Sequence, residues 1–213
     1  MAHVGDVGTH LQACNDDWLL KRKMQFARIR HPFVLLPGDN EWSDCREPLE
    51  RLQAWRSQFC FQEKLTGLER QRGPYCEHVR WQAAGHVFVA LNVPGHDNNV
   101  RHPEHAPRMK AVLAWLDEAV ELAEKRAGLV ILMQGNPFLT LPRDGFAELR
   151  ERLRMLGERM AGRVVLVHGD THFYRDDQPL PGLRRIEVWG SPLVSWLRVP
   201  LVGAELRLSE PRY

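Results

Sequence analysis

No apolar run in the 213-residue chain approaches the roughly 20 residues that a membrane-spanning helix needs. The opening "MAHVGDVGTH" has no basic stretch followed by an apolar one, so it does not read as a secretion signal, and the cytoplasm is the default expectation. Excess charge is also missing. A formal net charge of +2, with acids interleaved among bases along the whole length, makes no case for a nucleic-acid partner or an acidic tail. Neither GxGxxG nor GxxxxGK[ST] occurs, which ranks a nucleotide-binding α/β protein last among the alternatives. Cys14, Cys45, Cys60 and Cys76 include no CxxC pair, so neither a zinc ribbon nor a dithiol redox motif is encoded. Cys14 and Cys45 each follow a Gly-Asp segment, which could bring them together at one end of a sheet; unpaired thiols are the simpler expectation.

What is present is an ordinary globular composition, 44% apolar, with no repeat, low-complexity tract or linker, and residues 1–213 read as one α/β domain. Short runs rich in β-branched residues, bounded by Gly, Pro or Asn, predict buried strands: "PFVLL" (32–36), "HVFVAL" (86–91), "LVILM" (129–133) and "RVVLV" (163–167). "IEVW" and "VSWLRV" add two more near the C-terminus, and their close spacing predicts a mixed rather than purely parallel sheet.

Helical spacing appears between these strands. Met109, Val112, Leu113, Leu116, Val120 and Ala123 share one face of a helix over 107–127, with Gly128 as its stop. Phe146, Leu149, Leu153, Leu156 and Met160 mark another over 144–160, capped by Asp144. Asp16 is expected to cap a helix reaching about residue 30, and Pro48 to open one reaching about residue 59. Trp18, Trp55 and Trp115 fall within helical patterns and read as core or half-buried, while Trp42 either walls a pocket or packs a loop.

The apolar segments share a feature at their ends. "HVGD" ends at Asp6 and "VLLPGD" at Asp39, followed by Asn40 and Glu41. "VALNVPGHDNN" ends in His96, Asp97, Asn98 and Asn99, "VILMQGNP" in Gln134 and Asn136, and "VVLVHGDTH" in His168, Asp170 and His172. Each Gly-Asp alone is an ordinary turn former, since Gly tolerates positive φ and Asp bonds its own backbone. In open α/β sheets, however, ligands bind beyond the carboxyl ends of the strands, so neighbouring strands would bring these groups into one pocket. Several carboxylates facing one another repel unless a cation sits among them. An oxygen-rich set with one or two imidazoles suits Mn²⁺, Mg²⁺, Fe or Zn²⁺.

The order "GD … GDNE … strand-Q … GDTH" resembles the calcineurin-like metallophosphoesterase family, whose motifs run D-x-H, GD, GNH-(D/E), H and GH-x-H at strand ends. The resemblance spans nearly the whole chain, and the closing "EVWGSPLVSWLRV" is similar to the family's last strands. It implies a four-layer αββα sandwich that binds two metals and hydrolyses a phosphomonoester or phosphodiester through a metal-bound hydroxide. Carried over by position, Asp6 takes the place of the bridging aspartate and Asp39 that of the asparagine ligand. Asn40 takes that of the histidine assisting the leaving group. Gln134 and Asp170 stand where histidine ligands are expected, and His172 keeps the last histidine. His168 is either a nearby alternative ligand or a strand residue pointing into the core, and Glu41 reads as a support behind Asp39.

The departures have consequences. Asn40 can donate a hydrogen bond to a phosphate oxygen but cannot act as a general acid, because an amide does not titrate. Asp6, Asp39, Gln134 and Asp170 form an all-oxygen set favouring Mg²⁺, Mn²⁺ or Ca²⁺, while the first metal keeps only Asp6 and His172. Asn40 and His96, with Asn98 as an alternative, are the expected phosphate-facing residues. The D-x-H motif belongs on a strand before Asp6, and only five residues precede it, so the first strand is expected to be missing and the first metal site impaired. A sheet edge exposed in that way would suit self-association. The alternative is a catalytically degenerate member of the fold that serves as a binding or scaffold protein.

Overall fold

The computed structural model of the chain describes residues 1–60, 65–193, 195–199, 201–202 and 205–206. Strand β1 (Ala2–His3) leads into Gly5-Asp6, and the chain then forms α1 (His10–Ala13) and α2 (Asp16–Phe26). It returns as β2 (Val34–Leu35), parallel to β1, with Ala2 beside Val34 and His3 beside Leu35. A 3-10 turn at Asp39–Glu41 follows, then α3 (Pro48–Phe59), which Pro48 opens as expected. Asn15, not Asp16, caps α2: its side chain accepts from the Asp17 N–H at 2.8 Å.

The second part of the chain builds the main sheet. Its elements are β3 (Glu69–Arg70), β4 (Val79–Ala83), β5 (His86–Ala90), α4 (His105–Ala123), β6 (Gly128–Leu132), α5 (Ala147–Arg159), β7 (Val164–His168), β8 (Arg175–Leu180) and β9 (Leu183–Glu187). The strands lie in the order β3-β4-β5-β6-β7-β9-β8. The inner four, β5, β6, β7 and β9, are mutually parallel, and β3, β4 and β8 are antiparallel to their neighbours, so the sheet is mixed, as expected. β10 (Leu201–Val202) and β11 (Glu205–Leu206) pair separately.

The period-two alternation of the inner strands decides the packing. Val87, Val89, Leu129, Ile131, Val164 and Leu166 join one apolar cluster with Val112, Leu116 and Val120 of α4 and Leu149 and Leu153 of α5. The intervening residues Ala90, Val130, Leu132 and Val165 join another with Val4, Val34 and Leu36. Leu35, one residue along from Val34, belongs instead with Leu19 of α2 and with Trp55 and Phe59 of α3. Each such large side chain contributes about 1.5–3 kcal/mol relative to exposure. Among the described residues no helix is long and apolar enough to cross a membrane.

Several expectations are corrected. Gly128 opens β6 instead of stopping α4, which ends at Ala123. Asp144 lies ahead of α5 and accepts from the Phe146 N–H at 3.1 Å, while Arg150 holds its carboxylate. "IEVW" is the end of a strand that starts earlier, at Leu183, and residues 195–199 of "VSWLRV" form no extended strand; Val194 lies outside the described residues.

The cysteines are all paired, Cys14 with Cys45 and Cys60 with Cys76, so unpaired thiols are ruled out and the Gly-Asp proximity governs the first pair. The bridges close loops with separations of 31 and 16 residues, and each is expected to stabilise by about 3 kcal/mol through the entropy of the unfolded chain. Dithiothreitol should therefore lower the urea midpoint markedly. An identical midpoint with and without reductant would show that the bridges do not stabilise the fold.

Candidate metal centre

Three aspartates from distant parts of the chain meet beyond the ends of β1, β2 and β7. Asp6 follows β1, Asp39 follows β2, and Asp170 follows β7. Asp6 and Asp39 lie close enough for each carboxyl to act on the other, and Gln134 Nε2 donates to both. On the other side of Asp39 lies Gly95, where an added Cβ would collide with both Asp39 Oδ2 and Asp170 Oδ1. Asp39 is therefore the middle carboxylate of the three. The reason is topological: Asp6 ends the small sheet, Asp170 ends the large one, and Asp39 leaves β2 where the two sheets meet.

Burial is the main cause that lifts Asp6 and Asp39 well above the usual carboxylate range, and the charges of Glu41 and Asp170 around Asp6, and of Asp6, Asp44 and Asp170 around Asp39, add to it. Asp170 is also raised by burial, against the backbone N–H groups of Asn136 and His96, which favour its ionised form. Among the described residues no lysine or arginine forms an ion pair with any of the three. Asp6 Oδ1 is buried with no hydrogen-bond partner.

The loops carrying these groups are held from behind. Glu41, fully buried, accepts from Gly38 N at 2.6 Å, Val7 N at 2.6 Å and Asp6 N at 3.0 Å, tying the Asp6 loop to the Asp39 loop. Burial raises Glu41 to about 7, and the three amides pull it back. Behind Asp170, buried Glu187 accepts from the Thr171 N–H and hydroxyl, from Asn136 Nδ2 and from Arg175. Among the described residues eight non-glycine residues have positive φ; six are Asp6, His96, Asn98, Asn99, Asp170 and His172, all on these loops, and the other two are Ala84 and Ala161. Such backbone is costly and tends to cluster where a site demands it.

Gln134 reaches the cluster with its amide nitrogen. Nε2 donates to Asp6 Oδ2 at 3.0 Å and Asp39 Oδ1 at 3.1 Å, while Oε1 accepts from Gly95 N. Because Gly95 N–H requires an acceptor, the oxygen expected on a metal is turned away. Asn40 Nδ2 donates to Gly8 O at 3.1 Å, which leaves its second N–H to donate elsewhere. The Asn40 carbonyl oxygen lies 3.8 Å from Cys14 Sγ and 3.6 Å from Cys45 Sγ, so the bridge presses on this loop.

His96 is exposed at the rim, close enough to Asp170 and Asp44 for its charge to act on both. His172 is exposed; its Nδ1 contacts Ser191 O at 2.8 Å, its ring packs on Gly190, and no hydrogen bond or ion pair joins it to the three aspartates. Asn98 is buried in side-chain bonds and does not face a substrate. Trp42 is fully buried beneath the Arg108 guanidinium, 5.4 Å from its ring, so it packs and does not wall a pocket. His168 is buried, with Nδ1 on Gly169 O, and burial lowers it to about 4: it is a core histidine.

Asp44 was not singled out from the sequence, although it lies in the same "GDNEWSDC" stretch; burial raises its carboxyl, and His96 and His10 oppose that. Among the described residues one set of His, Cys, Asp or Glu side chains has ligand atoms all within 4.8 Å of one another, namely Cys60, Cys76 and Glu77. It is no metal site as it stands, because the two sulfurs form a disulfide and Glu77 is held by Arg56 and Asn92. The aspartates instead form two adjacent pairs that share Asp39. All-oxygen donors, an unpartnered buried carboxylate oxygen and, among the described residues, the absence of a lysine or arginine ion pair fit a hard divalent cation. No protein-family model and no curated protein sequence matches the chain.

Proposed function

We propose that the chain is a metal-dependent phosphoesterase with the four-layer αββα architecture of the calcineurin-like metallophosphatases, acting on a phosphomonoester or phosphodiester. The observation that carries this reading is the convergence of Asp6, Asp39 and Asp170 with, among the described residues, no lysine or arginine paired to them. Asp6, Asp39 and Asp170 would hold Mn²⁺ or Mg²⁺, which when bound supplies the positive charge that draws in a phosphoryl group and acidifies water. Gln134 keeps Asp6 and Asp39 aligned through its amide nitrogen. The second N–H of Asn40 and the imidazole of the exposed His96 would be offered to a phosphoryl group, and His96 would be the residue able to pass a proton to the departing oxygen. The two disulfides favour an oxidising compartment over the cytoplasmic default.

A second reading is supported by Gln134. Its amide N–H bonds to Asp6 and Asp39 do part of the work of a cation, as suits a scaffold that keeps the fold without turnover. One experiment separates the two. The phosphoesterase binds Mn²⁺ by calorimetry and hydrolyses p-nitrophenyl phosphate in its presence, and Asp6→Asn abolishes both. A cooperatively folded chain that retains no metal in excess Mn²⁺ and shows no hydrolysis is the scaffold.

A further inference from the structure

A buried arginine behind the site touches no reacting group under the reading above, yet every one of its donors is committed. Arg108 of α4 is 1% exposed. Nε and Nη2 donate to Glu104 at 2.8 and 3.2 Å, and Nη1 to Asn92 O at 3.1 Å and Asn98 Oδ1 at 2.8 Å. Nη2 also donates to Asn98 O at 2.9 Å, so all five N–H groups of the guanidinium are used. Burying a charge costs several kcal/mol unless it is fully paired, and an apolar residue here would avoid that cost. Three of these bonds end on the loop at residues 92–99 and the other two on Glu104.

That loop needs to be held. His96, Asn98 and Asn99 have φ of 50°, 58° and 53°, three left-handed residues without a glycine among them. Asn98 Nδ2 donates to Gly145 O at 2.8 Å, and Asn99 Nδ2 donates to Glu104 at 3.0 Å, so Glu104 and Arg108 act as a pair. The loop end closest to the carboxylates is Gly95-His96. Gly95 has no room for a Cβ between Asp39 and Asp170, and the His96 backbone lies close enough to the Asp170 carboxylate to favour its ionised form.

We infer that Arg108, with Glu104, is a positioning residue for this site: it locks the left-handed turn at Asn98 so that Gly95 and His96 lie across Asp39 and Asp170. The inference rests on the phosphoesterase reading for its kinetic consequence, and on geometry alone for its structural one. Arg108→Lys keeps a buried charge but lacks the planar five-donor fork, and Arg108→Met keeps the stem without charge.

The test measures amide hydrogen exchange by NMR at Gly95 and, as a control, at Gly38, whose N–H is held by Glu41. Under conditions where all variants are folded, Arg108→Met should speed exchange at Gly95 about tenfold or more and leave Gly38 within about threefold, with Arg108→Lys between. In Mn²⁺ with p-nitrophenyl phosphate, kcat should fall about tenfold or more with KM little changed, because a small misplacement of the groups around phosphorus suffices. Equal acceleration at Gly95 and Gly38, or none at either, overturns the inference, as does an unchanged kcat. Should the wild type show no hydrolysis, the phosphoesterase reading fails while the Gly95–Gly38 comparison still decides the role of Arg108. Should Arg108→Met not fold, the Arg108→Lys comparison alone carries the decision.

Discussion

Asp39→Asn is expected to remove Mn²⁺-dependent hydrolysis by a factor of about a thousand or more and, in the same protein without metal, to raise the melting temperature. The first half follows from its place as the middle carboxylate, sharing the Gln134 amide with Asp6 and facing Asp170 across Gly95. The second half follows from linkage. Burial first, and then the charges of Asp6, Asp44 and Asp170, hold the folded-state pKa of Asp39 well above the unfolded value of about 4.

The folded protein therefore keeps a proton that the unfolded chain gives up near pH 4. The contribution of Asp39 to metal-free stability is fully present below that pH and is lost as pH rises towards about 9. An amide of the same shape removes that loss. A bound cation removes it too, so the stabilisation by Mn²⁺ in the wild type should grow as pH rises.

Two buried histidines set the pH for this measurement. His78 and His168 are lowered by burial to about 4, so they protonate in the unfolded chain before the folded one, and stability falls as pH drops from about 6.5 towards 4. Calorimetric scans of wild type and Asp39→Asn at pH 7.5, with and without Mn²⁺, avoid that window. A metal-free Asp39→Asn protein that melts below the wild type, or that binds Mn²⁺ as tightly, would remove Asp39 from the centre of the site.

Glu41→Ala carries the largest expected loss of stability. Its carboxylate accepts from three backbone N–H groups, those of Gly38 and Val7, which are buried, and that of Asp6, which is partly buried. Each buried donor left without a partner costs about 1–3 kcal/mol, and relief from burying the carboxylate offsets only part of that. A net loss of about 4 kcal/mol is expected, a large share of the 5–15 kcal/mol that typically holds a domain folded. Urea titration measures it.

Glu41→Gln should fall between, since one amide oxygen remains while its NH₂ faces donors. The same substitutions should weaken Mn²⁺ binding even in fully folded protein, because the Asp6 and Asp39 loops lose the side-chain acceptor they share. A Glu41→Ala protein with wild-type stability and metal affinity would mean that the two loops are held by something else.

Much of the frame is local, and local patterns are legible. β5, β6 and β7 follow from apolar runs that alternate between two buried faces, and α3 begins at Pro48 because a proline suits a helix start. β8 was missed because "RDDQPL" carries no apolar pattern. It is a sheet edge, and it is joined to β9 by Arg184–Asp176 and Arg185–Asp177 ion pairs that no local window reveals. The cysteine pairing was open for the same reason: spacing alone does not say which thiols approach.

The sequence by itself determined that carboxylates would follow glycines at the ends of several strands, because turn chemistry is written within three or four residues. Only the tertiary structure decided that Asp39 stands between Asp6 and Asp170, that Gln134 offers nitrogen and not oxygen, and that Arg108 holds the facing loop. Those outcomes depend on pairs such as Gln134 and Asp6, 128 residues apart, and on which buried N–H groups compete for which acceptors. Competition of that kind is settled when the sheets pack, because every buried donor must then find its partner at once.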